Sequence, residues 1–324
     1  MLQYPPLTVN RGRRHSAIWP VAWAAVVLSM RRRLSWLLYG LSLLVFLMFF
    51  FGQYLLSWAQ GQTTETTIRI GFIRTDPARL IGVLRDALHM NGGAQTYRNF
   101  VTLQGSMVVI VLALAGSVLI GNDFRFGSLA FYLAKPLARW HYLAGKGLAV
   151  ALLVNLMTTL PAMVLFVQYG FLDSWGYFVR GGQTFGTLSI GSVRIPLQGP
   201  NPLFFGILGY GALLTVCLSI MLLATSCWLR KTVPLIMVWT TVFFFFRLVA
   251  VALVDGLQYN ARWRLLDLWN DMTLVGGTCL GLGNESFRSP RQPGAAEALF
   301  VLSAVCVACL IYLSRQIRAV EVVR

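Results

Sequence analysis

Long apolar runs alternate along this chain with short polar, basic or glycine-rich segments. An α-helix rises 1.5 Å per residue, so a hydrocarbon core of about 30 Å takes roughly 20 mostly apolar residues. Six runs meet that length, and spans are predicted at about 34–59, 100–121, 147–170, 202–229, 233–254 and 297–314. A seventh run, 18–30, is too short to cross. Arg11, Arg13 and Arg14 precede it and Arg31, Arg32 and Arg33 follow it. That pattern predicts a helix lying along the membrane surface with its arginines among anionic headgroups. A signal peptide also begins basic and then apolar, but the three arginines stand where a small-residue cleavage site belongs.

The segments between the runs have patterns of their own. β-Branched residues alternate over 63–73 and predict a strand; Asp76 and Pro77 then form a helix N-cap and first turn, with Leu80, Leu84 and Leu88 on one face. A hairpin about Gly191 and Ser192 is predicted within 187–197. The stretch 265–283 is too polar to cross and too apolar for a solvated loop. Re-entrant or interfacial structure is predicted there, which lipid tolerates at depth only when it is packed against protein. The longest non-spanning segment, 60–99, is too short for an independent core.

Composition agrees with this pattern, since 57% of residues are hydrophobic and only 12% charged, against about a quarter charged in soluble domains. The net charge of +16 is distributed by side. Lys and Arg are retained on the cytoplasmic face. With the N-terminus inside, the inner segments 1–33, 122–146, 230–231 and 315–324 hold 15 of the 27 Lys and Arg, against only Asp123 and Glu321. The outer segments and the mouth of the last span balance 11 basic residues with nine acids. The charge therefore reports topology, with both termini cytoplasmic. A nucleic-acid surface, which would gather its charge on one face, is not indicated. The predicted fold is an all-α integral membrane protein: a cytoplasmic N-terminus and surface helix over 1–33, then one transmembrane domain over 34–324 with small extracytoplasmic α/β elements.

The inner segment 122–146 carries the most specific residues. Asn122 and Asp123 close the second span, and Gly127 and Ser128 supply a break and a helix cap. A short apolar helix containing Phe131 and Tyr132 follows. Pro136 lacks an N–H and restricts Lys135 before it, so the chain turns there. Arg139, Trp140, His141 and Lys146 lead back to the membrane with side chains suited to its interface. Two short helical pieces meeting at a proline bend can be pushed as a rigid unit.

These residues resemble the first inner loop of the permease subunits of ABC type-2 transporters. That loop typically reads Asp, then Gly-Thr-Leu, then Lys-Pro-hydroxyl-Arg, and ends Tyr-Leu-x-Gly-Lys. Here stand Asp123, Gly127-Ser128-Leu129, Lys135-Pro136-Leu137-Ala138-Arg139 and Tyr142-Leu143-Ala144-Gly145-Lys146. Ser128 replaces the usual Thr, and Ala138 the usual small hydroxyl residue. At motif level the resemblance covers 123–146; the six-span order, the N-terminal helix and the polar stretch before the last span extend it loosely. It implies a homodimer or heterodimer of permeases in a bacterial cytoplasmic membrane. Each loop would seat on a separately encoded ATP-binding subunit that holds ATP and Mg, with no cofactor in this chain. Asp123, Gly127, Ser128, Phe131, Tyr132, Pro136, Arg139 and Lys146 are the residues it implicates in coupling. No G-x-x-x-x-G-K-[ST] phosphate loop occurs, so the chain is not expected to hydrolyse ATP alone.

Other residues carry weaker chemistry. Arg247 is the one charge well inside a predicted span, where it costs about 2.5–3.5 kcal/mol at the centre. It either snorkels outward or lines the path or pairs with Asp267 or Asp271. Cys306 and Cys309 share a helical face, and soft thiolates would favour Cu(I) or zinc. Without a nearby His or acid they are a thin ligand set, and thiols also pack as small apolar groups. His15, His89 and His141 fall outside the spans and no carboxylate lies squarely within one, which argues against a membrane-embedded enzyme. A scaffold or assembly subunit that transports nothing is the main alternative. The substrate is not legible.

Overall fold

Among the described residues six helices are long and apolar enough to cross a membrane, which makes this a multi-pass membrane protein. The computed structural model describes residues 18–31, 33–61, 68–70, 73–75, 81–82, 92–116, 139–173, 176–179, 184–190, 193–198, 201–229, 231–283 and 291–319. In chain order the helices are α1 (Ile18–Met30), α2 (Arg33–Gly61), α3 (Ala94–Gly116), α4 (Arg139–Met157), α5 (Thr159–Asp173), α6 (Pro202–Trp228), α7 (Thr232–Gly256), α8 (Leu268–Cys279) and α9 (Ala295–Ala319). Spanning helices are the natural form here because lipid offers backbone groups no partner.

Local chemistry sets several boundaries. Asn201 caps α6 by accepting from Leu203 N at 3.0 Å, with Pro202 in the first turn. α4 and α5 form one span interrupted by a turn at Thr158, where Thr158 N still donates to Val154 O at 3.0 Å and Ala162 N to Thr158 O at 3.1 Å. Pro161 accounts for the interruption, since it has no N–H to donate to Met157 O. α7 contains two π-helical turns, Thr241–Phe245 and Ala252–Gly256. Asp267 caps α8, and Gly281, at φ +77°, ends the chain's turn beyond it while Leu282 N donates to Gly277 O at 2.9 Å.

α3 and α6 form the centre, each burying more than half of its most apolar stretch, whereas α2, α7 and α9 leave most of theirs facing outward. α8 inserts beside that centre, packed on α6 and α9 and touching α3. A Cβ at Gly105 of α3 would fall on the Trp269 ring, and one at Gly276 of α8 on the Tyr210 ring. Lipid tails are as apolar as leucine, so close packing and hydrogen bonds, not hydrophobicity, hold such helices together. The polar seams are explicit. Ser42 Oγ donates to Gln104 Oε1 at 2.6 Å and Gln104 Nε2 returns to Ser42 O at 2.9 Å, joining α2 to α3. Asn155 Nδ2 donates to Thr215 Oγ1 at 2.9 Å between α4 and α6, and Trp239 Nε1 to Thr225 Oγ1 at 3.0 Å between α7 and α6.

At the N-terminal end of α3 an aromatic knot gathers Tyr97, Phe166, Tyr177 and Phe178. Tyr177 OH donates to Gly92 O at 2.7 Å, which leaves Tyr97 OH to donate to Tyr177 OH at 2.9 Å. Strands β1 (Ile68–Ile70) and β2 (Ile73–Thr75) pair antiparallel, as do β3 (Thr184–Ile190) and β4 (Val193–Gln198), with Ile190 opposite Val193.

Three boundaries differ from the sequence expectation. α3 starts at Ala94 and not near 100, because Arg98 is buried within the bundle and the helix can continue through it. The third span starts its helix at Arg139 and not at 147. One strand over 63–73 is replaced by the β1–β2 pair. Of the helix expected to carry Leu80, Leu84 and Leu88, residues 81–82 are described and are helical, while the three leucines lie outside the described residues.

Overpacking a helix seam costs about 1–3 kcal/mol. Gly105→Ala should therefore lower the melting temperature in detergent by several degrees, while Gly40→Ala, where a Cβ meets nothing within 4 Å, should leave it unchanged. Thermal unfolding of the two variants side by side checks this.

Candidate functional site

Asp123, Gly127, Ser128, Phe131, Tyr132 and Pro136 lie outside the described residues; the flank that follows them is described. Arg139 opens α4, and the helix runs without a break to Met157. Residues 139–146 are thus the base of the third span, where the sequence pattern predicts loop. No proline interrupts 139–157, and Leu143, Val150, Leu153 and Val154 supply a buried face. That apolar face outweighs the headgroup-like character of Trp140 and His141.

α1 lies against this base. A Cβ at Gly145 would come within 2.9 Å of Val21 Cγ1 and 3.2 Å of Ile18 O, so the glycine permits backbone approach. Ala22, Ala25 and Ser29 are the buried positions of α1, while Trp19 and Trp23 stack at 6.3 Å on its exposed side. Lys146 is 5% exposed, with Nζ 5.6 Å from the Tyr142 ring centroid. The sequence reading directs Lys146 to a partner or to headgroups; here its side chain is packed within the chain. Further along, Asn155 and Thr159 reach Thr215 and Gly211 of α6, so the base of α4 is tied to the centre of the bundle.

A second constellation surrounds the start of α8. Asp267 Oδ1 accepts from Trp269 N at 3.0 Å and Asn270 N at 3.1 Å. Arg264 is buried and ion-paired with Asp255, while Arg262 and Glu297 pair at 3.1 Å in an exposed position where screening leaves little net energy. Burial pushes the Asp267 carboxyl up; the hydrogen bond from Asn270 N, the Arg247 charge, the bond from Trp269 N and the Arg264 charge pull it back.

Arg247 is exposed on α7 between the two π-turns. Among the described residues no carboxylate lies within ion-pair distance of it, so it is neither a buried charge nor a direct partner of Asp271, and it acts on Asp267 at longer range. Phe243 and Ala250, one turn on either side, are buried. Arg247 stands at the edge of that inward face, and its long stem lets the head emerge.

Asp271 is 0% exposed, and neither carboxylate oxygen has a hydrogen-bond partner among the described residues. Burial, followed by repulsion from Asp267, raises its pKa to about 8. An unpaired buried carboxylate is costly, so the group keeps its proton at neutral pH. Sequence reading assigned Asp271 only as a possible partner of Arg247. Its burial is created by helices remote in sequence and leaves no local signal. Arg98 is similar: it is buried and interacts with Tyr210 of α6, whose hydroxyl lies near those of Thr102 and Thr273.

Cys306 of α9 faces Cys217 of α6, and Cys309 lies near Cys306 on the same helix. Among the described residues no group of three His, Cys, Asp or Glu side chains is placed to hold a metal ion.

The raised acid gives a signed pH dependence. An unfolded aspartate ionises near 3.9, whereas folded Asp271 holds its proton up to about 8. Its contribution is fully present below the lower value and is lost as pH rises through the higher one. Raising pH from about 5 to about 8 should lower the melting temperature, and Asp271→Asn should shrink that drop. Equal drops in both proteins would contradict the assignment.

A scan against protein-family models gives no match for this chain, and neither does a search of curated proteins.

Proposed function

We propose that this chain is the permease subunit of an ATP-driven exporter of the ABC type-2 kind, acting as a dimer in a bacterial cytoplasmic membrane. The reading rests on the residues of 123–146 and is supported by the six spanning helices. The observation that carries it furthest is the unbroken course of α4 from Arg139 into the bundle, with α1 against its base and α6 along its length. A flexible linker would absorb a displacement; a helix packed in this way passes it on.

In this reading Gly127 and Pro136 shape the elbow, Phe131 and Tyr132 give it an apolar face for the ATP-binding subunit, and Asp123 and Ser128 cap its pieces. Arg139 anchors the elbow at the head of α4, and Lys146 locks the base of the lever from within. ATP and Mg belong to the partner, whose closure would move the elbow and reshape a path between two permeases by alternating access or lateral extrusion. α1 rests on the cytoplasmic surface with Trp19 and Trp23 among headgroups, and α8 is a re-entrant helix on the outer side. Arg247, exposed on α7, is available to line the path or to meet the second permease.

Pro136→Ala and Gly127→Leu should each lower the ATPase rate of the co-expressed ATP-binding partner several-fold, with membrane insertion unchanged. Wild-type ATPase stimulation in both would contradict the reading. Arg247→Leu should preserve assembly and lower coupled transport; transport at the wild-type rate would remove Arg247 from the path.

A further inference from the structure

An apolar groove follows α2 where it faces α4 and α5. Two cavities of about 520 and 760 Å³ make it up, and both are walled by Leu160 and Val164, so they are halves of one feature. One half begins at Met30, Trp36 and Tyr39, beside the α1–α2 turn; the other ends at Tyr54 and Phe171. The walls are mainly Phe, Leu, Met and Val with Trp36, Tyr39, Tyr54 and Gln168 among them, and the pair on the floor, Ser42 and Gln104, is bonded to itself. Along this groove the described hydrogen bond between α2 and α5 is Gln168 Nε2 to Phe50 O at 2.8 Å.

The composition of the walls distinguishes the occupants. A second transmembrane helix approaches closely over Gly, Ala, Ser or Thr, or through polar contacts. Neither half is walled by Gly or Ala, the one Ser is already bonded, and the buried polar atoms without a partner among the described residues are two, Tyr39 Oη and Gln168 Oε1, too few for a polar helix seam. A thin, flexible hydrocarbon chain needs no small residues and no polar partner. At the mouth, Arg31 follows Met30 directly and is exposed, and Trp36 beside it is exposed as well. With α1 on the membrane surface, as in the function proposed above, on which this inference rests, a cation and an indole stand at the level of a lipid phosphate.

We propose that this groove holds one acyl chain of an anionic phospholipid whose phosphate lies at Arg31, a resident lipid that joins α2 to α5. Because the bilayer solvates an acyl chain as well as leucine does, the walls supply shape and the headgroup charge supplies selection. The two contributions therefore separate by mutation.

The full chain is reconstituted in nanodiscs with equal phosphatidylglycerol and phosphatidylcholine, extracted in mild detergent, and its retained lipid counted by mass spectrometry. Wild-type protein should retain phosphatidylglycerol in preference to phosphatidylcholine. Arg31→Gln should reduce that preference about fivefold, the factor corresponding to about 1 kcal/mol for one surface arginine, while total retained lipid stays. Val164→Trp should empty the groove and lose the retained lipid. Val164 is 41% exposed and Leu160 55% exposed, so the bulk is added at the surface, and Leu160→Trp repeats the test where Val164→Trp folds poorly. Wild-type protein free of lipid, undiminished lipid in both tryptophan variants, or an undiminished preference in Arg31→Gln would each overturn the proposal. A change of oligomeric state in the tryptophan variants with lipid undiminished would assign the groove to a second helix instead.

Discussion

The close approach of α8 to α3 and α6 is the contact on which the rest of this bundle depends. Lipid gives apolar helices no reason to meet, so association relies on fit and on hydrogen bonds that have no other partner. Trp269 lies over Gly105, Tyr210 over Gly276, and Gly206 admits Cys279 O to 2.6 Å from where a Cβ would stand. α3, α6 and α8 are thereby locked through glycines on one side and large aromatic rings on the other. The outer helices attach by a few polar links, α2 through the Ser42–Gln104 pair and through Gln168 Nε2 to Phe50 O, α7 through Trp239 to Thr225 and through the Asp255–Arg264 ion pair.

The functional reading uses that architecture in two places. α4 leaves the segment 117–138 as a helix already braced by α1 and reaches α6 through Asn155, so a push at one end arrives at the centre. At the other end α8 carries a neutral acid, Asp271, kept protonated by burial and by the nearby charge of Asp267, which is itself offset by Arg247 and Arg264. Keeping Asp271 protonated is what allows α8 to be buried nearly all around, because an ionised carboxylate there would have neither water nor a donor.

The six spans were legible in the sequence because length and apolarity alone decide them, and the π-turns of α7 did not disturb that reading. Their ends were not. Arg98 looked like the edge of a loop, yet α6 provides it with a buried environment, so α3 begins earlier. Trp140, His141 and Lys146 looked like a headgroup segment, yet the apolar face over 143–154 carries the helix through them. The segment 265–283 was recognisable as neither span nor loop, and it contains α8; the burial of Asp271 inside it depends on contacts from remote helices that no local pattern encodes. For Arg247 the sequence allows outward snorkelling, a place on the path, or a pair with Asp267 or Asp271, and the geometry leaves it exposed at the edge of α7 with no ion pair among the described residues. Of the coupling residues, only Arg139 and Lys146 fall among those described, and Lys146 is turned inward.

The central claim is that 123–146 forms an elbow on the cytoplasmic side, joined rigidly to the membrane bundle. Its most direct measurement places a single reactive thiol there, Ala138→Cys in a chain whose exposed Cys279 is replaced by Ser, and treats cells and inverted vesicles with a membrane-impermeant maleimide. Labelling in inverted vesicles and not in intact cells is expected. Labelling in intact cells would put the segment on the outer face and contradict the claim.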